Sequence, residues 1–271
     1  MVKKMKRAII AAIISAIMVG NVSSVYAKEL CPDISKVQIN EIKGKENTEV
    51  ALGKLTEQSK YYKINIKSPG KIKLKVKGLK NNQTAFASLC KNDPIHSELE
   101  GTKNLTAKVP SAVYYIRKPG IYYFWINCIG TKNAYAAYTF STNKNEGGSS
   151  YSKATTLKKN QKRVGVIGFD TTCDQRQYYK FTISKEELVK IKIAKGDSCA
   201  NDDTMQVDVY KLNNKKRKHI IKDRIYEDQN GGTLYIRNSK KYKTQPGTYY
   251  IAVSKITNRA AFDYSLTWLK E

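Results

Sequence analysis

The chain has 271 residues, 49 of them Lys or Arg against 23 Asp or Glu, for a formal net charge of +26. A hydrophobic content of 41% is enough for packed cores, which excludes a globally disordered chain despite the charge. After the N-terminus no run approaches the roughly 18 apolar residues that a membrane-spanning helix needs, and the length admits one large domain or two of ordinary size.

Residues 1–27 read as a secretory signal: Lys3, Lys4, Lys6 and Arg7 form a positive start, Ala8 to Val19 an apolar stretch, and Val25-Tyr26-Ala27 a small-residue cleavage site. The chain from residue 28 onward carries an internal duplication. YYKINI at 61–66 matches YYKFTI at 178–183, and each precedes an alternating strand, IKLKV at 72–76 and VKIKI at 189–193. KPGIYYFWI at 118–126 matches QPGTYYIAV at 245–253, and both copies close on a tyrosine-bearing strand, 136–141 and 262–267. The boundary falls in NKNEGGSS at 143–150, a polar run that reads as a flexible linker, giving a first domain over 28–146 and a second over 147–271.

Period-two alternation dominates both halves. In Lys71 to Lys77, Ile72, Leu74 and Val76 point one way and four lysines the other, as in a half-buried antiparallel strand whose lysines blunt edge-to-edge pairing. Pro119-Gly120 and Pro246-Gly247 predict type II turns. The only helical stretch after the signal is one turn at 184–188. Nineteen tyrosines against six phenylalanines suit strands with one dry and one wet face. Each half is therefore expected to hold seven or eight short strands, the size of a β-sandwich.

Both copies resemble the bacterial pre-peptidase C-terminal domain, the module that clostridial collagenases use to bind collagen. The residues carrying the resemblance are Tyr178-Tyr179-Lys180-Phe181, Val189 to Ile193, Val207-Asp208-Val209-Tyr210, Pro246-Gly247-Thr248-Tyr249-Tyr250 and Tyr264-Ser265-Leu266. The first copy is more divergent, with Phe86-Ala87-Ser88-Leu89 where the Asp-bearing strand should be. The resemblance implies an all-β chain of two tandem jelly-roll-like antiparallel β-sandwiches, and calcium near the Asp-bearing strand, although the chain holds no peptidase domain.

The acidic group Asp197, Asp202, Asp203 and Asp208 offers the oxygen ligands that calcium takes, with a solvated acidic loop as the alternative; no cofactor is otherwise required. Cys173 and Cys199 sit at the outer ends of two strands expected to be neighbours, and a disulfide there would contribute about 3 kcal/mol. Cys90 and Cys128 sit similarly in the first copy, which leaves Cys31 over; five reduced thiols are the other reading. His96 and His219 are the only histidines, and neither stands in a recognisable catalytic motif, so the chain is expected not to be an enzyme.

A dense cationic run, including Lys215, Lys216, Arg217 and Lys218, belongs on a hairpin after the 207–210 strand and suits an anionic polymer or surface. Consecutive aromatics at Tyr122, Tyr123 and Trp125, and at Tyr249 and Tyr250, cannot all face one core, because alternate strand residues point to opposite sides. The expectation is an exported or cell-surface binding module whose Tyr122, Trp125, Tyr249, Tyr250 and 215–218 cluster hold a matrix protein, a cell-wall polymer or an anionic glycan. Export argues against nucleic acid as the partner. The alternative is an accessory subunit for a secreted hydrolase or another protein.

Overall fold

The computed structural model describes residues 39–42, 46–92, 102–130, 133–196, 204–213, 216–226, 229–237, 243–258 and 260–269. The signal segment, Cys31, His96, Asp197, Cys199, Asp202, Asp203 and Lys215 lie outside these. Among the described residues the chain is all-β and forms two β-sandwiches, with no helix long and apolar enough to cross a membrane.

The first half supplies β1 (Ile39–Ile42), β2 (Glu49–Lys54), β3 (Lys60–Ile66), β4 (Gly70–Lys77), β5 (Thr84–Lys91), β6 (Lys103–Thr106), β7 (Ser111–Ile116), β8 (Gly120–Ile129) and β9 (Tyr135–Thr142). The second supplies β10 (Thr155–Thr156), β11 (Lys162–Ile167), β12 (Gln177–Ile183), β13 (Val189–Lys195), β14 (Met205–Asn213), β15 (Lys216–Ile225), β16 (Gly231–Ile236), β17 (Gly247–Lys255) and β18 (Phe262–Leu269). They form sheet A (β1-β3-β8-β5-β6) over sheet B (β2-β9-β4-β7), and sheet C (β10-β12-β17-β14-β15) over sheet D (β11-β18-β13-β16). The strand orders of the two halves are the same. The parallel pairs β1·β3 and β10·β12 are the exceptions to antiparallel pairing among the named strands.

Alternation produces the layers. In β4 the residues Ile72, Leu74 and Val76 are at most 1% exposed while Lys73, Lys75 and Lys77 are solvated. Each such aliphatic burial is worth about 1.5–3 kcal/mol. β4 is paired on both sides, to β7 and β9, so its lysines do not guard a sheet edge as expected. β12 and β13, expected to be neighbours, lie in opposite sheets, because the chain crosses over between them. Residues 184–188 form no helical turn; Glu187 makes a β-bridge to Thr244.

The duplication extends to single contacts. Gly120 and Gly247 have φ of +151° and +143°, beyond the roughly +80° of a type II turn. After each, the first tyrosine turns inward and donates its hydroxyl to the carbonyl four residues back, Tyr122 to Lys118 (2.5 Å) and Tyr249 to Gln245 (2.7 Å). Lys91 and Lys211 place their ammonium groups 5.3 and 5.5 Å from those rings.

The two sandwiches are docked. Asp170, its side chain fully buried, accepts the backbone N–H groups of Arg117 (2.9 Å) and Lys118 (2.7 Å) and the Tyr122 hydroxyl (2.9 Å), with Lys91 Nζ at 3.7 Å. Phe169 packs edge-on against Tyr122, and Tyr115 donates to Asp263 (3.1 Å). Val166, Phe169 and Ala261 thus join the first core. The segment 143–150 is not a free linker: the Glu146 carboxylate accepts from Val164 N and Arg163, and Gly148 exchanges backbone hydrogen bonds with Tyr178. Its glycines permit close approach, since a Cβ on Gly148 would sit 1.9 Å from the Lys153 carbonyl oxygen.

Candidate functional site

The outward face of sheet C gathers the densest set of aromatic and charged groups. Strand register lays them out in two rows: Lys180, Tyr250, Tyr210 and His219, beside Tyr178, Ala252, Asp208 and Lys222. An irregularity between Val209 and Tyr210 shifts β15 so that His219 stands opposite Tyr210. Ala252 leaves a gap in the middle, and Tyr151 from the preceding turn covers it. Its ring centroid is 4.4 Å from that of Tyr178, 5.4 Å from Tyr250 and 5.6 Å from Tyr210. The Gly148–Tyr178 pairing and the tight approach of Gly148 to Lys153 set the turn that delivers it. Arg217 stacks its guanidinium 4.0 Å above the Tyr151 ring, a cation–π contact on the solvent side. Burial, then the nearby Tyr210 hydroxyl, hold the Tyr151 phenol well above its ordinary pKa, so the ring is neutral at any physiological pH.

Beneath the rings lies a carboxylate hub. Asp208, 3% exposed, accepts from Arg176 (3.0 Å), from Gln206 Nε2 (2.8 Å) and from His219 Nε2 (3.1 Å). Arg176 also donates to the Tyr210 hydroxyl (2.9 Å). Asp208 therefore gives both oxygens to protein donors, and its expected role as a calcium ligand stays an expectation. Its proposed companions Asp197, Asp202 and Asp203 lie outside the described residues. A carboxylate–imidazole pair is two of the three members of a hydrolase triad, but among the described residues no hydroxyl or thiol is hydrogen-bonded to His219.

The expected contact residues divide by strand parity. Tyr122 and Tyr249 are 0% and 2% exposed and belong to the cores, so they cannot form a binding face; Tyr250 and Trp125 are half-buried on the outer faces. Lys216, Arg217 and Lys218 lie exposed on β15, in the expected hairpin with β14. Tyr151, Tyr178, Tyr210, Arg176 and His219 are site residues that the pattern did not single out. Parity held the signal for two of them, because Tyr178 alternates with core Tyr179 and Tyr210 with core Val209.

The cysteine expectations fare differently. Cys90 stands opposite Tyr123 and Cys128 opposite Ala85, five positions apart on the β5·β8 ladder. That is roughly 17 Å, far beyond the Cα separation of about 7 Å that a disulfide tolerates, so the expected bridge is ruled out. Burial pushes the Cys128 thiol up to about 11. Cys173 donates its thiol to Ile256 O and Asn258 Oδ1, both at 3.1 Å; Cys199 is outside the described residues.

No protein-family model and no curated protein matches the chain. Among solved structures it is similar to the pre-peptidase C-terminal domain of a collagenase from Bacillus anthracis, at 16% identity and a TM-score of 0.31, covering 47% of this chain and 99% of that one. It is also similar to the tandem CBM22-1-CBM22-2 domain of Xyn10C from Paenibacillus barcinonensis, at 9% identity and a TM-score of 0.27, covering 78% and 83%. Tripeptidyl peptidase 2 matches at 10% identity and a TM-score of 0.32, covering 85% of this chain and 24% of that one.

Proposed function

We propose that the chain is an exported, non-catalytic binding protein that holds an extracellular polymer on the outer face of sheet C. The observation carrying this reading is the layered cluster in which Tyr178, Tyr210 and Tyr250 surround Tyr151 and Arg217 caps it. Rigid rings supply contact area at low entropic cost, and a flat sheet suits an extended chain, either a matrix protein or a glycan of the envelope. Lys180 and Lys222 border the rings and add attraction to anionic groups, which salt weakens as the Debye length falls to about 8 Å. Metal is not needed for this mechanism.

The test is binding of the chain from residue 28 onward to collagen, purified cell wall, sulfated glycans and anionic vesicles, at low and high salt, with calcium or chelator. Salt-resistant binding to one ligand supports the reading. Binding to every polyanion that vanishes at high salt would mean that net charge alone is being sampled.

One observation favours a protein partner instead. Among the described residues β15 ends sheet C and pairs only with β14 in that sheet, which offers a backbone edge for strand addition, although its cations discourage it. A stoichiometric partner captured from culture supernatant and insensitive to salt would establish that reading.

A further inference from the structure

Sheet B carries a cationic feature with no part in either core or interface. Lysines on exposed strands ordinarily protect an edge, yet β4 lies inside the sheet, hydrogen-bonded to β9 and β7. Its outward residues are Lys71, Lys73, Lys75 and Lys77, which at two residues per step recur about every 7 Å along the strand. Their lateral neighbours are uncharged: Thr139 and Val113 beside Lys73, Ala137 and Ser111 beside Lys75. Lys77 pairs with Glu49 at 3.1 Å, whereas among the described residues no carboxylate pairs with Lys73 or Lys75. The second sandwich lies against one end of this face, where Tyr115, beside Lys71, reaches Asp263, so the exposed row runs from Lys73 to Lys77.

A straight row of like charges on a rigid strand is complementary to a linear polyanion whose charges recur at about the same interval. Lysine presents compact point charges, suited to isolated phosphodiesters rather than to paired carboxylates. Lys73 and Lys75 have no ring beside them on which a base could stack, and the exposed Tyr135 beside Lys77 is a single ring at the end of the row, in contrast to the successive aromatic platforms of single-strand nucleic-acid sites. We propose that the outward face of sheet B is a separate electrostatic site for a linear polyol phosphodiester, bound along β4 by Lys73, Lys75 and Lys77. This site does not depend on the face of sheet C.

The test measures affinity for synthetic poly(glycerol phosphate) against salt for the full exported chain, for Lys73→Gln/Lys75→Gln, and for a charge-matched control, Lys158→Gln/Lys185→Gln, at exposed lysines of the second sandwich. The β4 pair should weaken binding by about 10-fold and lower the slope of log K against log salt by about 1.4, while the control stays within about twofold of the parent. Equal losses in both variants, or no loss in the β4 pair, would overturn the proposal. Tighter binding of oligo-dT through the same two lysines would overturn the choice of occupant. Tyr151→Ala should leave this affinity unchanged, which separates the two sites.

Discussion

Sheets A and C have the same strand order, and their inward residues are near copies, but their outward faces have diverged. Where sheet C has Ala252, Asp208 and Tyr210, register places Trp125, Ser88 and Cys90 in sheet A. In the first copy the large indole occupies the centre of the face. In the second a small residue vacates it, and Tyr151 arrives from another segment to bridge three strand tyrosines. The cores differ in a matching way. Gln177 accepts from the Tyr264 hydroxyl (2.7 Å), which lies 2.9 Å from that of Tyr179. Its counterpart Lys60 instead donates to the Lys54 carbonyl, and the Tyr62 hydroxyl is buried without a partner among the described residues. Duplication thus preserved what each sandwich needs to close, while the outer faces diverged: sheet A carries Tyr61, Tyr123 and Trp125 beside the Lys63–Glu41 pair, and only sheet C gathers its tyrosines around a ring from another segment, Tyr151.

The largest effect expected from disturbing this asymmetry is at Asp170, which ties the first copy's turn to the second sandwich. Asp170→Ala removes the acceptor of two backbone N–H groups and the carboxylate beside Lys91, while the Tyr122 hydroxyl keeps the Lys118 carbonyl, and should cost about 3 kcal/mol in urea denaturation. A loss below about 1 kcal/mol would mean that the turn is held by its own sandwich. Ala252→Trp copies the first copy's residue into the second. It should overpack the face, cost about 2 kcal/mol and displace Tyr151, visible as altered near-ultraviolet circular dichroism. Tyr151→Ala, which removes three ring contacts and the Arg217 stack, should cost about 1–2 kcal/mol and leave the first sandwich's transition in place. Lys60→Gln, importing the second copy's amide, should stabilise the first sandwich by about 1 kcal/mol if it reaches the Tyr62 hydroxyl. No gain would show that the two cores differ in more than this side chain.

The smallest effect is alkaline. Burial raises Tyr62 to about 12 and also lifts Tyr138, Tyr151 and Tyr249. These phenols hold their protons more tightly when folded. Their contribution is complete below the unfolded pKa near 10 and is lost as pH rises through the folded values. Stability should therefore be level from about pH 7 to 9 and fall above about 10, with tyrosinate absorbance appearing late.

Periodicity made the strands, their inward faces and the duplication legible, because burial imposes a two-residue repeat on any half-buried strand. It also placed the cationic hairpin. It misassigned Tyr122 and Tyr249, since two adjacent tyrosines look alike until register decides which one faces inward. The pairing of Cys90 with Cys128 failed for a related reason: both lie on adjacent strands, but ladder position is not written in either strand. Tyr151 was hidden because its segment reads as a polar glycine run, whose role as a fixed turn depends on the close approach of Gly148 to Lys153.

The most direct measurement is a paired one. Affinity for the ligand found in the polymer array should be compared between the parent chain, Tyr250→Ala/Arg217→Gln on sheet C, and Tyr123→Ala/Trp125→Ala at the matching face of sheet A. The account predicts at least about a tenfold loss for the first variant at high salt, with the second within about twofold of the parent. Equal affinity in the parent and the sheet C variant would contradict it.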